Sequence, residues 1–177
     1  MNCSLILFYF SILMFQIALI STPKSFAGEY EILEEIFKLG LKKFYARKRQ
    51  MPKQRFEKWQ SNILPWPGSA HSFEELKKNE DAEICFLSPV FDSISKSGYK
   101  TGFSEQELKE GIAAWKTFQK KESRSQKLFA LGGVNASNLA KLAELGFDGA
   151  AILGAVWQNP SPVNAWKEII NELNSFY

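Results

Sequence analysis

Residues 127–155 set a pattern that the rest of the chain has to satisfy. Lys127-Leu128-Phe129-Ala130-Leu131 is a short apolar run and Gly132-Gly133 a tight turn. Asn135 or Ser137 then caps an amphipathic helix with Leu139, Leu142 and Ala143 on its inner face and Gly146 as its stop. Gly149-Ala150-Ala151-Ile152-Leu153 is a second apolar run, followed by Gly154-Ala155. Two buried strands joined through a helix pair in parallel, and a parallel sheet needs helices to cover it. The chain is therefore expected to be α/β.

The same alternation extends upstream. Residues 15–23 read as a first buried strand running into a Pro-containing loop. Residues 29–39 put Ile32, Leu33, Ile36 and Phe37 on one helical face, with Gly40 free to take a left-handed cap, and residues 43–46 read as a second strand. Residues 47–68 contain Pro52, Pro65 and Pro67 and a short helix around 55–60; no strand is assigned inside them. Residues 69–71 read as a strand end, and Ser72 with Glu75 forms a capping box for a helix to Lys78. Residues 84–89 are a buried strand, followed by a long polar loop at 90–103. A second capping box, Ser104 with Glu107, opens a helix to about residue 119, and Ser161-Pro162 starts the terminal helix. No repeat or low-complexity linker interrupts the series, so one domain is expected.

Composition narrows the chemistry. The chain of 177 residues is 45% hydrophobic with 15 phenylalanines, enough for a substantial core. Net charge is only +3, and the lysines are scattered, so nucleic acid is not an expected partner. With one histidine, two cysteines and no CxxC, a structural zinc site lacks ligands. That leaves metal-free chemistry or Mg²⁺ held by oxygen.

The first 20 residues are apolar and uncharged, and Ser25-Phe26-Ala27 fits a small-x-small cleavage site. No Lys or Arg precedes Lys24, however, and the run is short for a membrane span. Met14 offers an internal start. Residues 1–13 are accordingly expected to be an extension or mis-assigned start, and residues 14–177 the domain of a cytoplasmic protein. Export or membrane association through residues 1–27 is the alternative.

In parallel α/β architectures, ligands sit at the carboxyl ends of the strands. Gly132-Gly133 and Gly154-Ala155 fall there on consecutive strands; such turns either present bare amides to a phosphate or simply turn tightly. Lys96, flanked by Ser93, Ser95 and Gly98 in the long loop, either neutralises a phosphate or is solvated. Arg47-Lys48-Arg49 at the end of the second strand carries the same two readings, with arginine offering a planar fork to phosphate oxygens. His71, the lone histidine, either packs before its N-cap serine or carries a proton near neutral pH.

Taken together, Ser69-Ala-His-Ser-Phe-Glu-Glu-Leu76, Phe91-Asp-Ser-Ile-Ser-Lys-Ser-Gly98, Ala130-Leu-Gly-Gly-Val-Asn135 and Gly149-Ala-Ala-Ile-Leu-Gly-Ala155 resemble the thiamine phosphate synthase and TenI (thiazole tautomerase) superfamily. The order and spacing of four motifs carry the resemblance, which covers residues 69–157, with residues 19–23 and 44–48 matching the first two strands. It implies a TIM-barrel-like (β/α)₈ fold and a thiamine-biosynthetic enzyme. In the synthase reading, hydroxymethylpyrimidine diphosphate joins thiazole phosphate with release of pyrophosphate. The thiazole phosphate would lie on Gly132, Gly133, Gly154 and Ala155. The pyrophosphate would meet Arg47 and the catalytic Lys96, with Ser93 and Ser95 in the substrate loop and Mg²⁺ as cofactor. In the tautomerase reading, His71 shuttles a proton on the thiazole carboxylate phosphate. A non-catalytic binder of thiazole or thiamine phosphate is a further alternative, and a homodimer is left open.

One departure stands out. The superfamily has two further strands, with helices, between the Arg-Lys strand and the His-Ser segment, and only residues 49–69 lie there. The barrel is expected to be incomplete, with about six of eight strands and no identifiable Mg²⁺ ligand.

Overall fold

The computed structural model describes residues 15–48, 51–52, 54–92 and 102–176. Six parallel strands form one sheet: β1 (Gln16–Ile20), β2 (Phe44–Ala46), β3 (Ile63–Pro65), β4 (Ile84–Leu87), β5 (Lys127–Leu131) and β6 (Gly149–Ile152). Their spatial order is β3-β2-β1-β6-β5-β4, a six-stranded parallel half-barrel. A single parallel bridge, Ala70 to Leu87, extends it beyond β4. The Ala70 amide donates to Phe86 O (2.8 Å), and the Ser88 amide to Ala70 O (2.9 Å).

Covalent reach forces this sheet to curl. Pro65 ends β3 at one edge and Ala70 pairs at the other, five residues later. Five residues span at most about 18 Å. Laid flat, six strand spacings would separate the two edges by about 29 Å. The side chains record the curl: the Tyr45 and Phe86 rings, on β2 and β4, meet edge to face with centroids 5.0 Å apart. On a flat sheet those strands would lie about 19 Å apart. Trp66, in the short link, packs 4.8 Å from Phe86 and 6.1 Å from Tyr45. At the opposite end Lys43 Nζ reaches Glu83 Oε1 (3.5 Å), again across from β2 to β4.

Curling gives the sheet an inside and an outside, and strand periodicity sorts residues between them. Ala18, Ile20, Tyr45, Ile84, Phe86, Phe129 and Ala151 fill the inside, joined by Leu64, Trp66, Leu131 and Leu153. Their strand neighbours Ile17, Leu19, Phe44, Cys85, Leu128, Ala130 and Ile152 face outward into the larger core beneath the helices. Burial pushes the Tyr45 phenol up to about 12, with Glu83 adding to the shift, so it stays neutral inside the half-barrel.

The covering helices are α1 (Glu29–Lys38), α2 (Phe73–Lys77), α3 (Glu105–Lys121), α4 (Leu139–Leu145), α5 (Gly154–Trp157) and α6 (Pro162–Asn174). In α1, Leu33, Ile36 and Phe37 are buried at helical spacing. Both halves of the Ser104–Glu107 capping box form at the start of α3. Gly146 closes α4 at φ 94°, a backbone angle that glycine adopts without steric penalty. Glu29, at the head of α1, forms an ion pair with Lys48, just past β2; their side chains are only 2% and 8% exposed. This pair fastens the first helix to the rim of the sheet.

Three expectations are corrected here. Residues 47–68 do contain a strand, β3, preceded by a 3-10 helix over Glu57–Asn62. Residues 69–71, expected to end a strand, supply only the Ala70 bridge. The total of six strands holds, but the missing element lies after β3. The reciprocal arm of the first capping box also differs. Glu75 accepts from the His71 amide (2.7 Å), and Ser72 Oγ accepts from the Glu75 amide (3.1 Å). Residues 1–13 lie outside the described residues. Among those described, no helix is long and apolar enough to cross a membrane.

Phe86→Ala should destabilise the protein by about 3–5 kcal/mol, because it empties the centre of the closure. Denaturant midpoints measure this, with exposed Leu39→Ala as a control expected to stay within about 0.5 kcal/mol. Lys48→Met should cost about 3–5 kcal/mol by leaving Glu29 buried without its cation, and Glu29→Leu combined with Lys48→Met should recover most of that loss.

Candidate functional site

The carboxyl ends of the strands form a rim whose order follows the sheet. Arg47 stands after β2, Ser21 after β1, Gly154-Ala155 after β6, Gly132-Gly133 after β5, and Ser88 after β4, with His71 beside it. Register places the two glycine turns side by side, since Leu131 pairs with Ala151 just before both strands end. All sequence-expected site residues that fall in the described part therefore share one end of the half-barrel. Lys96, Ser93 and Ser95, together with Arg49, lie outside the described residues.

The glycines have a packing role that sequence alone did not disclose. Gly132 has φ 92°, and a Cβ there would lie 2.8 Å from Pro89 Cα. Gly133 has φ 67°, and a Cβ there would collide with the Asp92 carbonyl. The segment after β4 thus lies directly on the turn, with Val90 and Phe91 amides donating to Leu131 O (2.9 Å) and Gly132 O (3.1 Å). Asn138 Nδ2 donates to Gly133 O (3.0 Å), while Asn135 Oδ1 accepts the Ser137 amide (2.9 Å) and caps the following 3-10 turn. The turn's carbonyls are engaged. Among the described residues, the amides of Gly132, Gly133, Gly154 and Ala155 donate no hydrogen bond. Gly154 and Ala155 also line a cavity of ≈500 Å³ with Asn135 and Ser137.

His71 is exposed at the rim, and its Nδ1 lies 2.8 Å from Ser88 O. A carbonyl only accepts, so Nδ1 carries the hydrogen in this bond and Nε2 is left outside it. Across the rim, Arg47 is exposed and lines a ≈490 Å³ cavity with Met51, Phe56, Leu64 and Trp66. Its backbone amide donates to Ser21 Oγ (2.8 Å), which anchors the residue while leaving its guanidinium outside. Lys48, grouped with Arg47 in the sequence reading, is committed to Glu29.

Sequence reasoning missed Ser21, Glu29 and Trp66. Ser21 and Glu29 act through residues far away in the chain, and no local spacing marks them. Trp66 was visible as an aromatic between two prolines, a pattern that fits a rigid link crossing an apolar mouth.

Comparison with known proteins gives a consistent picture. No family model matches the chain. It is 27% identical over 107 residues to the thiamine-phosphate synthase of a Prochlorococcus marinus strain, an alignment covering 59% of this chain and 28% of that protein. The chain thus spans little more than a quarter of the curated relative. A thiamine phosphate pyrophosphorylase from Bacteroides thetaiotaomicron has a similar structure (TM-score 0.63, 22% identity, 91% of this chain and 96% of that one). One from Pyrococcus furiosus does too (TM-score 0.65, 15% identity, 93% and 98%). These structural likenesses show the TIM-barrel-like fold, and the curated relative adds the aligned sequence. The chain is thus distantly similar in sequence, over part of its length, to a thiamine-phosphate synthase.

Proposed function

We propose that the protein is a thiamine phosphate synthase-like enzyme acting on phosphorylated thiamine precursors in the cytoplasm. The observation that carries this reading is the pair of small-residue turns at adjacent strand ends, whose four amides are unengaged among the described residues. Oriented backbone amides bind phosphate oxygens without side-chain rearrangement. In this reading they hold thiazole phosphate, and the exposed Arg47 guanidinium faces the diphosphate of hydroxymethylpyrimidine diphosphate. The carbon–oxygen bond to pyrophosphate breaks, pyrophosphate leaves with the electron pair, and the thiazole nitrogen lone pair forms the new carbon–nitrogen bond. Arg47, with Lys96, would stabilise charge gathering on the departing group. Mg²⁺ is expected from the resemblance. Among the described residues no three His, Cys, Asp or Glu side chains come together to hold a metal, so no step is assigned to it.

The His71 geometry favours a second reading, a TenI-type tautomerase. Fixed through Nδ1 on Ser88 O, the ring presents Nε2 for taking and returning a proton on a thiazole carboxylate phosphate.

One set of incubations separates the readings. With both phosphorylated substrates and Mg²⁺, the synthase reading expects thiamine phosphate and pyrophosphate in equal amounts, and Arg47→Gln should lower kcat/KM by about 10²-fold. Thiazole phosphate binding without product would overturn it and leave a binding protein. With thiazole carboxylate phosphate, the tautomerase reading expects isomerisation that His71→Asn abolishes at nearly unchanged affinity. Equal loss of turnover and binding would make His71 structural.

A further inference from the structure

We propose that Trp157 is the positioning residue of the phosphate grip after β6, its indole N–H occupying the backbone carbonyl that would otherwise draw the Gly154 amide back into the sheet. This role rests on the phosphate reading given above and names what keeps one of its four amides available.

Strand register supplies the first step. β1 and β6 pair in parallel with Leu19 opposite Ile152, and parallel hydrogen bonds recur every two residues along each strand. Continued by one rung, the ladder would carry the Gly154 amide to Ile20 O. It does not continue: Leu153, at φ −137° and ψ −80°, turns the chain away, and Ile20 O accepts instead from Trp157 Nε1 at 2.7 Å. Ile20 is 1% exposed, so its carbonyl depends on a protein donor.

Packing supplies the second. α5 has only four residues, too few to hold a direction by itself, and its own bonds begin with the Val156 and Trp157 amides donating to Leu153 O (3.3 and 3.1 Å). What aims the turn is therefore tertiary. Val156 is buried, and the Trp157 ring lies edge to face with Phe26 of the link from β1 to α1, centroids 5.9 Å apart. The indole bond thus joins the β6 turn to the end of β1, next to Ser21, whose Oγ accepts the Arg47 amide (2.8 Å).

The test is a titration of ¹⁵N-labelled protein with inorganic phosphate, comparing the unaltered chain with Trp157→Phe, which keeps a ring against Phe26 and removes the donor. The unaltered protein is expected to show saturable shifts of the Gly154 and Ala155 amide resonances. Trp157→Phe should bind phosphate about tenfold more weakly, the upper end for one hydrogen bond. Without ligand, its Gly154 amide should move downfield and exchange with solvent about tenfold more slowly as it takes the vacated carbonyl, whereas mere loosening of the turn would speed exchange. Should the variant fail to fold, reciprocity serves: saturating phosphate should slow exchange of the Trp157 indole N–H in the unaltered protein by about the same factor. No response of the unaltered amides to phosphate would overturn the phosphate reading and this role with it. A response that Trp157→Phe leaves at full strength, or an indole whose exchange ignores bound phosphate, would overturn the role of Trp157 alone.

Discussion

From Pro65 at one edge of the sheet to Ala70 at the other, the backbone has five residues in which to cross between strands that both run toward the rim. An ordinary parallel connection would return through a helix and need a dozen or more residues. The short link makes no such return, so it lies across the carboxyl end of the strands and draws the two edges together. Everything inside follows from that tether. The Tyr45 and Phe86 rings meet, Trp66 fills the mouth beside them, and the β3 edge, which would otherwise invite pairing with another chain, is only three residues long and ends in a proline.

The same tether decides what is left for chemistry. Aromatic side chains occupy the interior, so functional groups are confined to the rim: unengaged amides after β5 and β6, a fixed imidazole beside β4, and an exposed guanidinium after β2. Anchoring of that rim is mostly indirect. The buried Glu29–Lys48 pair holds the head of α1, Ser21 holds the Arg47 backbone, and the Pro89–Asp92 segment rests on glycines that have no room for a Cβ. In energetic terms, removing an anchor and removing a chemical group should have different signatures. The first lowers stability, and the second leaves it.

Legibility in the sequence tracked the range of the interactions. Apolar runs and caps located β4 to β6 and the longer helices because those features are local: Ser104 with Glu107, Gly146, and the apolar runs at 127–131 and 149–152. The weak point was 47–68, where β3 has only three residues, one of them proline. Its strand identity comes from pairing with β2 rather than from propensity. The strand expected at 69–71 shrank to a bridge because the link leaves no length for more. At the site, residue types announced the amides and the histidine. The second role of Gly132 and Gly133, as contact points for the segment after β4, depends on a neighbour about 40 residues away and carries no local mark.

The sheet curls far enough to bring β2 against β4, although four strand spacings separate them in the sheet. A double-mutant cycle on Tyr45→Leu and Phe86→Leu, measured by denaturant unfolding, addresses it most directly. A closed half-barrel predicts a coupling of about 0.5–1.5 kcal/mol, as found for edge-to-face aromatic pairs. Strict additivity, within about 0.3 kcal/mol, would mean that the two rings do not touch and that the sheet stays open.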